Sequence, residues 1–383
     1  MSEIEVRMMW APGKYIQGQN VLTNLGVYVR LLGESALIIS DSRVYNLVGK
    51  AISDALKARK IRYGWTEFGG ECCFEEIERI SRQAKKGRSE VIIGVGGGKT
   101  LDTAKAVAVN RKVPMVMVPT IAATDAPTSS SSIIYSKEGV FEKVLSHSRN
   151  PELIVVDVGV IAKAPVRFLV SGMGDALATW FEADATFNSD SDNEVGGKPT
   201  RAAHILAKLC FDILMKHALP AKLAVEKERV IPAVDLIIEA NILLSGLGFE
   251  SGGLAAAHAI HNGLTVLEET HNYLHGEKVA VGTVTQLFLE SKDKSIINQV
   301  LTFCNQLRLP MSLGDLGLAA LSPSRRMEVA EAACRAEESI HNEPFDVTPK
   351  MVSDALLAAD VYLREFRAQQ QSTSFTRAKR NLA

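Results

Sequence analysis

"VIIGVGGGKTLDTAKAVAVN", residues 91–110, starts as an unbroken apolar run, passes four glycines and continues with helical spacing. A β-branched run without polar alternation is a strand buried on both faces, the signature of a parallel sheet. The glycines stand where this strand hands over to a helix. There the backbone can approach an anion closely, and free N–H groups at the helix N-terminus point at it. Two familiar phosphate motifs fail on spacing. Counted from Gly94, GxGxxG needs a glycine where Lys99 stands, and a GxxxxGK[ST] loop needs one more residue before Gly98. The second failure argues against an ATPase. A phosphate-binding loop and a plain tight strand–helix turn both remain open.

The same alternation extends on either side. "ALIIS" (36–40), "IRYGWTEF" (61–68), "VPMVMVPT" (113–120) and "LIVVD" (153–157) read as strands, and "FEEIERISRQAKKG" (74–87) as a helix ending at Gly87. "IIYSKEGVFEKVL" (133–145) reads as a hairpin. Strands joined by helices predict a Rossmann-like α/β nucleotide-binding domain. From about residue 165 the pattern changes to alanine- and leucine-rich helical stretches, such as "GDALATWFEADATF" (174–187) and "AVDLIIEANILLSGLGFE" (233–250). We therefore divide the chain into an α/β domain over 1–164 and an all-α domain over 165–383. The polar tail "RAQQQSTSFTRAKRNLA" is expected to be loosely ordered beyond a final helix.

Composition narrows the function classes. Lys and Arg total 43 against 44 Asp and Glu, so the formal net charge is only -1. No field draws in nucleic acid or an anionic membrane, and small-molecule chemistry fits better. The five cysteines are widely spaced apart from the adjacent Cys72 and Cys73. That is neither a disulfide framework nor a CxxC zinc site, and it suits a reducing cytoplasm. The opening "MSEIEVRMMW" has no apolar signal core, and no long uncharged apolar run predicts a membrane span.

Four of the eight histidines fall in "AAAHAIHNGLTVLEETHNYLHGEKV" (255–279): His258, His261, His271 and His275. His258 and His261 are three apart on an alanine-rich helix, so their rings share a face. His275 precedes Gly276, where a loop can turn into a site. Asp175 follows Gly174, read as a helix start, and shares a face with Thr179. Each residue alone has an ordinary structural role, and Asp175 could serve a helix-end dipole. Together an Asp and histidines make a mixed oxygen–nitrogen site with a position left open, the pattern of catalytic zinc. Asp41 ends a strand. It fits an adenosine ribose, or equally the N-cap of the next helix.

The motifs "PGKYIQGQNVL", "FGGEC", "GVGGGKTLDTAKAVA", "VPTIAATDAPTSSSSIIYSKEGVF", "GMGDALATWFEA", "SGGLAAAHAIHNGLT" and "HGEKVAVGT" follow one another along nearly the whole chain. In combination and order they resemble the glycerol dehydrogenases of the iron-containing, or group III, alcohol dehydrogenase family. The resemblance implies an active site in the cleft between the two domains. It implies one zinc ion per subunit on Asp175, His258 and His275. Gly96, Gly97, Gly98 and Lys99 would surround the pyrophosphate of NAD, with Asp41 on the ribose. Asp102, Thr120, Ser129, Ser131 and Tyr135 would complete the cofactor site, and Asp125 would meet the substrate hydroxyls. His261 and His271 are expected as proton relays.

The implied reaction is reversible oxidation of glycerol and related vicinal diols to dihydroxyacetone. The implied enzyme is a cytoplasmic homo-oligomer, with an octamer as one assembly the resemblance suggests. Two departures matter. Iron-using relatives place a histidine where Thr179 stands, which favours zinc with an open position. Ser131 replaces an apolar residue, which weakens packing against the cofactor. Rival readings are a glycerol-1-phosphate dehydrogenase or other NAD(P)-dependent polyol dehydrogenase, a dehydroquinate-synthase-like enzyme, and a zinc hydrolase. A phosphorylated substrate calls for extra cations, for which Lys278 is the nearest candidate. A hydrolase needs neither the glycine loop nor Asp41.

Overall fold

The computed structural model describes residues 5–380. Residues 1–4, where the sequence predicts no leader, and 381–383 lie outside it. The apolar runs form one six-stranded, all-parallel sheet. Its strands are β1 (Tyr15–Gly18), β2 (Ser35–Ser40), β3 (Arg62–Glu67), β4 (Val91–Gly96), β5 (Met115–Pro119) and, after the hairpin, β8 (Leu153–Asp157). The order is β1-β8-β5-β4-β2-β3. The predicted hairpin pairs β6 (Ser131–Tyr135) with β7 (Phe141–Ser146) as a separate antiparallel ribbon.

Local chemistry sets the helices that cross between strands. In α1 (Ser42–Ala58) the Asp41 side chain caps the first turn by accepting from Val44 N. In α2 (Phe74–Lys86), Glu75 and Glu76 open the helix and Lys85 and Lys86 close it, complementing the helix dipole. α3 (Gly98–Arg111) starts at the glycine loop. Gly94 has a packing reason: a Cβ there would lie 2.6 Å from Ala104 Cβ, so strand and helix sit closer than a side chain permits.

The helical half begins with α4 (Val166–Ser189) and α5 (Arg201–Val225). A composite helix follows, made of α6 (Pro232–Glu239), a π-helical turn (Ala240–Leu244) and α7 (Ser245–Gly252). It is apolar enough to cross a membrane, with mean hydropathy 1.4, but 67% of that window is buried in the protein, as in a core helix. Then come α8 (Ala256–Leu264), α9 (His275–Leu289), α10 (Lys294–Leu307), α11 (Pro323–Ala333) and α12 (Pro349–Arg380). The tail expected to be loose is part of α12 up to Arg380.

One face of the sheet packs on α1 through Ile38, Ile52, Ile93 and Val116. The other face belongs to a core that continues into the helical half, from Ile92 and Met117 through Met173 and Leu214 to Val284. The halves are therefore joined by packed side chains, with the glycine loop and the histidine cluster on the elements that flank the junction.

Candidate active site

Three helices deliver the proposed metal ligands. Asp175 lies in the middle of α4, nine residues past its start, so the helix-end role left open by the sequence does not apply. His258 is in the first turn of α8, and His275 is the first residue of α9. Glycines let these helices meet backbone to backbone. A Cβ on Gly276 would stand 1.8 Å from Ser171 O, one on Gly174 2.4 Å from Gly276 O, and one on Gly282 2.2 Å from Ala257 O. α9 is thereby pressed against both α4 and α8.

The result is a tight donor set. His275 Nε2 lies 3.1 Å and His258 Nε2 3.3 Å from Asp175 Oδ1. One donor atom from each residue falls within 4.8 Å of the others, and this is the one such histidine–carboxylate group among the described residues. The contacts are short but lack hydrogen-bond direction. Both oxygens of Asp175, a residue 2% exposed, are left without a hydrogen-bond partner. A buried carboxylate without partners is costly. A divalent cation held by these three residues would remove that cost, so the residues fit a metal. Burial alone disfavours ionisation of Asp175, but His275 and His258 outweigh it and hold its carboxyl below the usual range.

The far side of each imidazole is also held. Glu182, fully buried, accepts from His258 Nδ1 at 2.6 Å and from the backbone N of His258 and Ala255. Ala256 N donates to Glu343 and Ala257 N to Gln286. Three buried side chains thus satisfy the free N–H groups at the start of α8, which fixes where His258 points. Burial lowers the pKa of His258, but Glu182 and Asp175 reverse this and raise it well above the ordinary value in the metal-free protein. Glu182 escaped the sequence reading. Its signal was the 175–179–182 spacing, which puts all three residues on one helix face.

His275 Nδ1 meets His261 Nε2 at 3.1 Å, and His261 Nδ1 meets Asn262 Oδ1 at 3.0 Å. His261 thus backs a ligand from behind. Burial, with His275 and Lys278 nearby, pushes its pKa well down, so it is neutral. His271 is not brought to the site. Its exposed ring bonds Thr265 O at 3.0 Å, so the relay expected of it has no geometric support.

Asp125 faces this cluster from the loop after β5. Ser245 Oγ donates to its Oδ2 at 2.5 Å, and Thr179 Oγ1 lies 2.9 Å from Ser245 Oγ. Burial and the charge of Asp175 raise the Asp125 pKa to about 8. Lys105, fully buried, holds the loop from below. Its Nζ donates to Ala126 O and Ser129 Oγ and pairs with Asp102 at 2.9 Å. From above, Asn241 Nδ2 donates to Ala122 O, and Glu250 accepts from Ser130 N and Oγ. Ser245, Asn241, Glu250 and Lys105 were all missed in the sequence.

Most residues expected at the cofactor cluster at the C-terminal ends of β2, β4 and β5. Gly97 offers no side-chain cap to α3, leaving its first N–H groups free for a ligand. Lys99 Nζ lies 2.6 Å from each oxygen of Glu71 and 4.7 Å from the centre of the Tyr135 ring. Thr120 N donates to Gly96 O, and Ser131 Oγ bonds Ser129 Oγ. Asp41 stands beside Glu67, which accepts from Ser42 Oγ. Asp102 departs from expectation. Its carboxylate is turned inward to Lys105 and Ile133 N, a role in the loop's foundation. Lys278 is buried, with its pKa pushed down by burial, and does not form a basic cluster.

The model of the family described as iron-containing alcohol dehydrogenase matches residues 12–158. A glycolaldehyde reductase of Halobacterium salinarum is 50% identical over 93% of this chain and 98% of that protein. A glycerol dehydrogenase of Thermotoga maritima is also 50% identical, over 92% and 96%. The crystal structure of glycerol dehydrogenase from Schizosaccharomyces pombe superposes with a TM-score of 0.92 at 40% identity, covering 96% of this chain and 94% of that one. With this identity along nearly the full length of both chains and the same two-part fold, the chain belongs to the iron-containing alcohol dehydrogenase family and is an oxidoreductase.

Proposed function

We propose that the protein is a zinc- and NAD-dependent glycerol dehydrogenase, oxidising glycerol and related vicinal diols reversibly to dihydroxyacetone. The observation that carries this reading is the buried, unpartnered Asp175 carboxylate between His258 Nε2 and His275 Nε2, facing Asp125. A zinc ion would supply Lewis acidity that favours the ionised form of a substrate hydroxyl, and NAD would accept the hydride. Asp175, His258 and His275 would hold the ion. Thr179, at the fourth-ligand position of iron enzymes, has its hydroxyl engaged with Ser245, which supports an open position for substrate. Asp125 accepts from the diol and orients it, while Ser245 keeps that carboxylate aimed. Gly96, Gly97 and Gly98 would line the pyrophosphate, Lys99 would offset its charge, and Asp41 would accept from the ribose and repel a 2′-phosphate. Five unpaired cysteines suit a reducing cytoplasm, and we read the enzyme as a homo-oligomer there.

The 50% identity to a glycolaldehyde reductase favours a second reading, in which a small hydroxyaldehyde is reduced at the same site. One panel separates the two. NADH absorbance is followed with glycerol, 1,2-propanediol, 2,3-butanediol, dihydroxyacetone and glycolaldehyde, using NAD and NADP, before and after a chelator. Glycerol turnover with NAD, lost on chelation and restored by zinc, is the expected outcome. Turnover that survives complete metal removal overturns the reading.

A further inference from the structure

His275 can ligate a metal through Nε2 only if that nitrogen is bare, and a neutral imidazole carries its single proton on one nitrogen or the other. For His258 the choice is made by direct contact, because the Glu182 carboxylate only accepts and so holds the proton on Nδ1. His275 has no carboxylate behind it. It has His261, an imidazole that can present either a donor or an acceptor. Something further out must decide.

The hydrogen bonds lead to the surface. Asn262 Nδ2 donates to Glu338 Oε2 at 2.8 Å. That fixes the side-chain amide, so Asn262 Oδ1 faces His261 Nδ1 at 3.0 Å and can only accept. The His261 proton therefore sits on Nδ1, and its Nε2 is an acceptor. His275 Nδ1, 3.1 Å away, must then be the donor, which leaves His275 Nε2 bare toward Asp175. We infer that Asn262, anchored by Glu338, is a positioning residue that sets the tautomer of His275 through His261 and so prepares the metal site. The chain runs from an exposed asparagine through His261 inward to a proposed ligand. The inference rests on the zinc site proposed above.

Asn262 is exposed, so its side chain can be replaced without disturbing a core. Asn262→Leu removes the acceptor and frees His261 to carry its proton on Nε2, which opposes the required tautomer of His275. Asn262→Asp keeps an acceptor, and is made together with Glu338→Gln so that an amide donor, not a second carboxylate, faces it. The full chain, stripped of metal, is titrated with zinc alone for the parent, Asn262→Leu, Asn262→Asp and His275→Ala. Nitrogen NMR of the imidazoles reads the His275 tautomer in the same samples.

Losing such an outer contact typically weakens metal binding about 10- to 100-fold. The expected result is a loss of that size for Asn262→Leu, with unchanged thermal stability of the metal-free protein. Asn262→Asp is expected to stay within about threefold of the parent, and His275→Ala to lose stoichiometric zinc. If Asn262→Leu binds zinc like the parent while His275→Ala does not, the relay is wrong and the metal site stands. If Asn262→Asp is as weak as Asn262→Leu, the acceptor is not what matters, and the relay is again wrong. If His275→Ala retains full zinc, the ligand set itself fails and takes the relay with it.

Discussion

Asp125 depends on one hydroxyl. Ser245 Oγ donates to it at 2.5 Å, and Thr179 supports Ser245 in turn. Ser245→Ala leaves a half-buried carboxyl oxygen without that donor, at a cost of about 1–1.5 kcal/mol. We expect kcat/KM for glycerol to fall roughly 10-fold with little change in melting temperature. Parent-like kinetics in steady-state assays would remove Ser245 from the site's working parts. His147 gives a second test, through pH. Ser132 Oγ gives its proton to Asp102 O, so His147 Nε2 must donate to Ser132 Oγ at 2.8 Å. Burial, reinforced by Lys105 and Arg149, pushes the His147 pKa down to about 4. Because this lies below the unfolded value of about 6.5, the unfolded chain binds the extra proton first. Stability is then lost as pH falls through that window, by about 2 kcal/mol at roughly pH 5. Urea melts of His147→Gln, which keeps a donor, should show a shallower acid slope; an unchanged slope rules out His147 as its source. The cluster of Asp175, His258 and His275 was legible in the sequence, since few residue types can hold a metal and the family resemblance implied these three as ligands. Ser245 and Lys105 are ordinary residues given roles by distant partners, Ser245 by an aspartate 120 positions away, and no local pattern announces them, whereas Glu182 had its helical spacing from Asp175 as a signal.

Where helices cross, glycine decides. "GMGDALA" read as a helix start because glycine is poor in a helix interior. The structure gives the competing reason. A Cβ on Gly172 would sit 2.0 Å from Ala122 O, and Gly174 and Gly276 face each other across the crossing of α4 and α9. Close approach outweighed propensity, which is why the strands and the hairpin were legible from their apolar runs while the start of α4 was not. Gly276→Ala places its methyl group 1.8 Å from Ser171 O, against backbone that cannot turn aside. We expect a loss of about 3 kcal/mol or more, at the upper end of overpacking effects. Weaker zinc binding should accompany it, since α9 carries His275 at its first position. A variant that melts like the parent and binds zinc equally well would show that the crossing has slack. The π-helical turn Ala240–Leu244 belongs to the same scale. It carries Asn241 to Ala122 O and Leu169 O and leads into Ser245, so one irregular turn serves both ends of the Asp125 loop.

At the scale of the whole molecule, the two proposed ligands of the enzyme are held by different halves. Asp175, His258 and His275 all belong to helices of the helical half, whereas Asp41, the glycine loop and Lys99 belong to the α/β half. Removing zinc should therefore leave NADH affinity within about threefold of the metal-loaded protein, because the residues proposed for the pyrophosphate and ribose all lie in the half that carries no metal ligand. Folding is another matter. The core runs without a break from Ile92 in the sheet to Val284 in the helices, and Glu250 and Asn241 tie the Asp125 loop across the junction. A ligand that binds only the folded helical half should then stabilise both halves. At a free zinc concentration about 100 times its Kd the gain is about 2.7 kcal/mol. With an unfolding entropy typical of a chain this long, that is a rise of about 3 °C in Tm. Calorimetry with and without zinc tests this directly. A single transition moving upward as a unit is the expected result. Two transitions, of which zinc moves one alone, would mean that the shared core does not couple the halves and that each melts by itself.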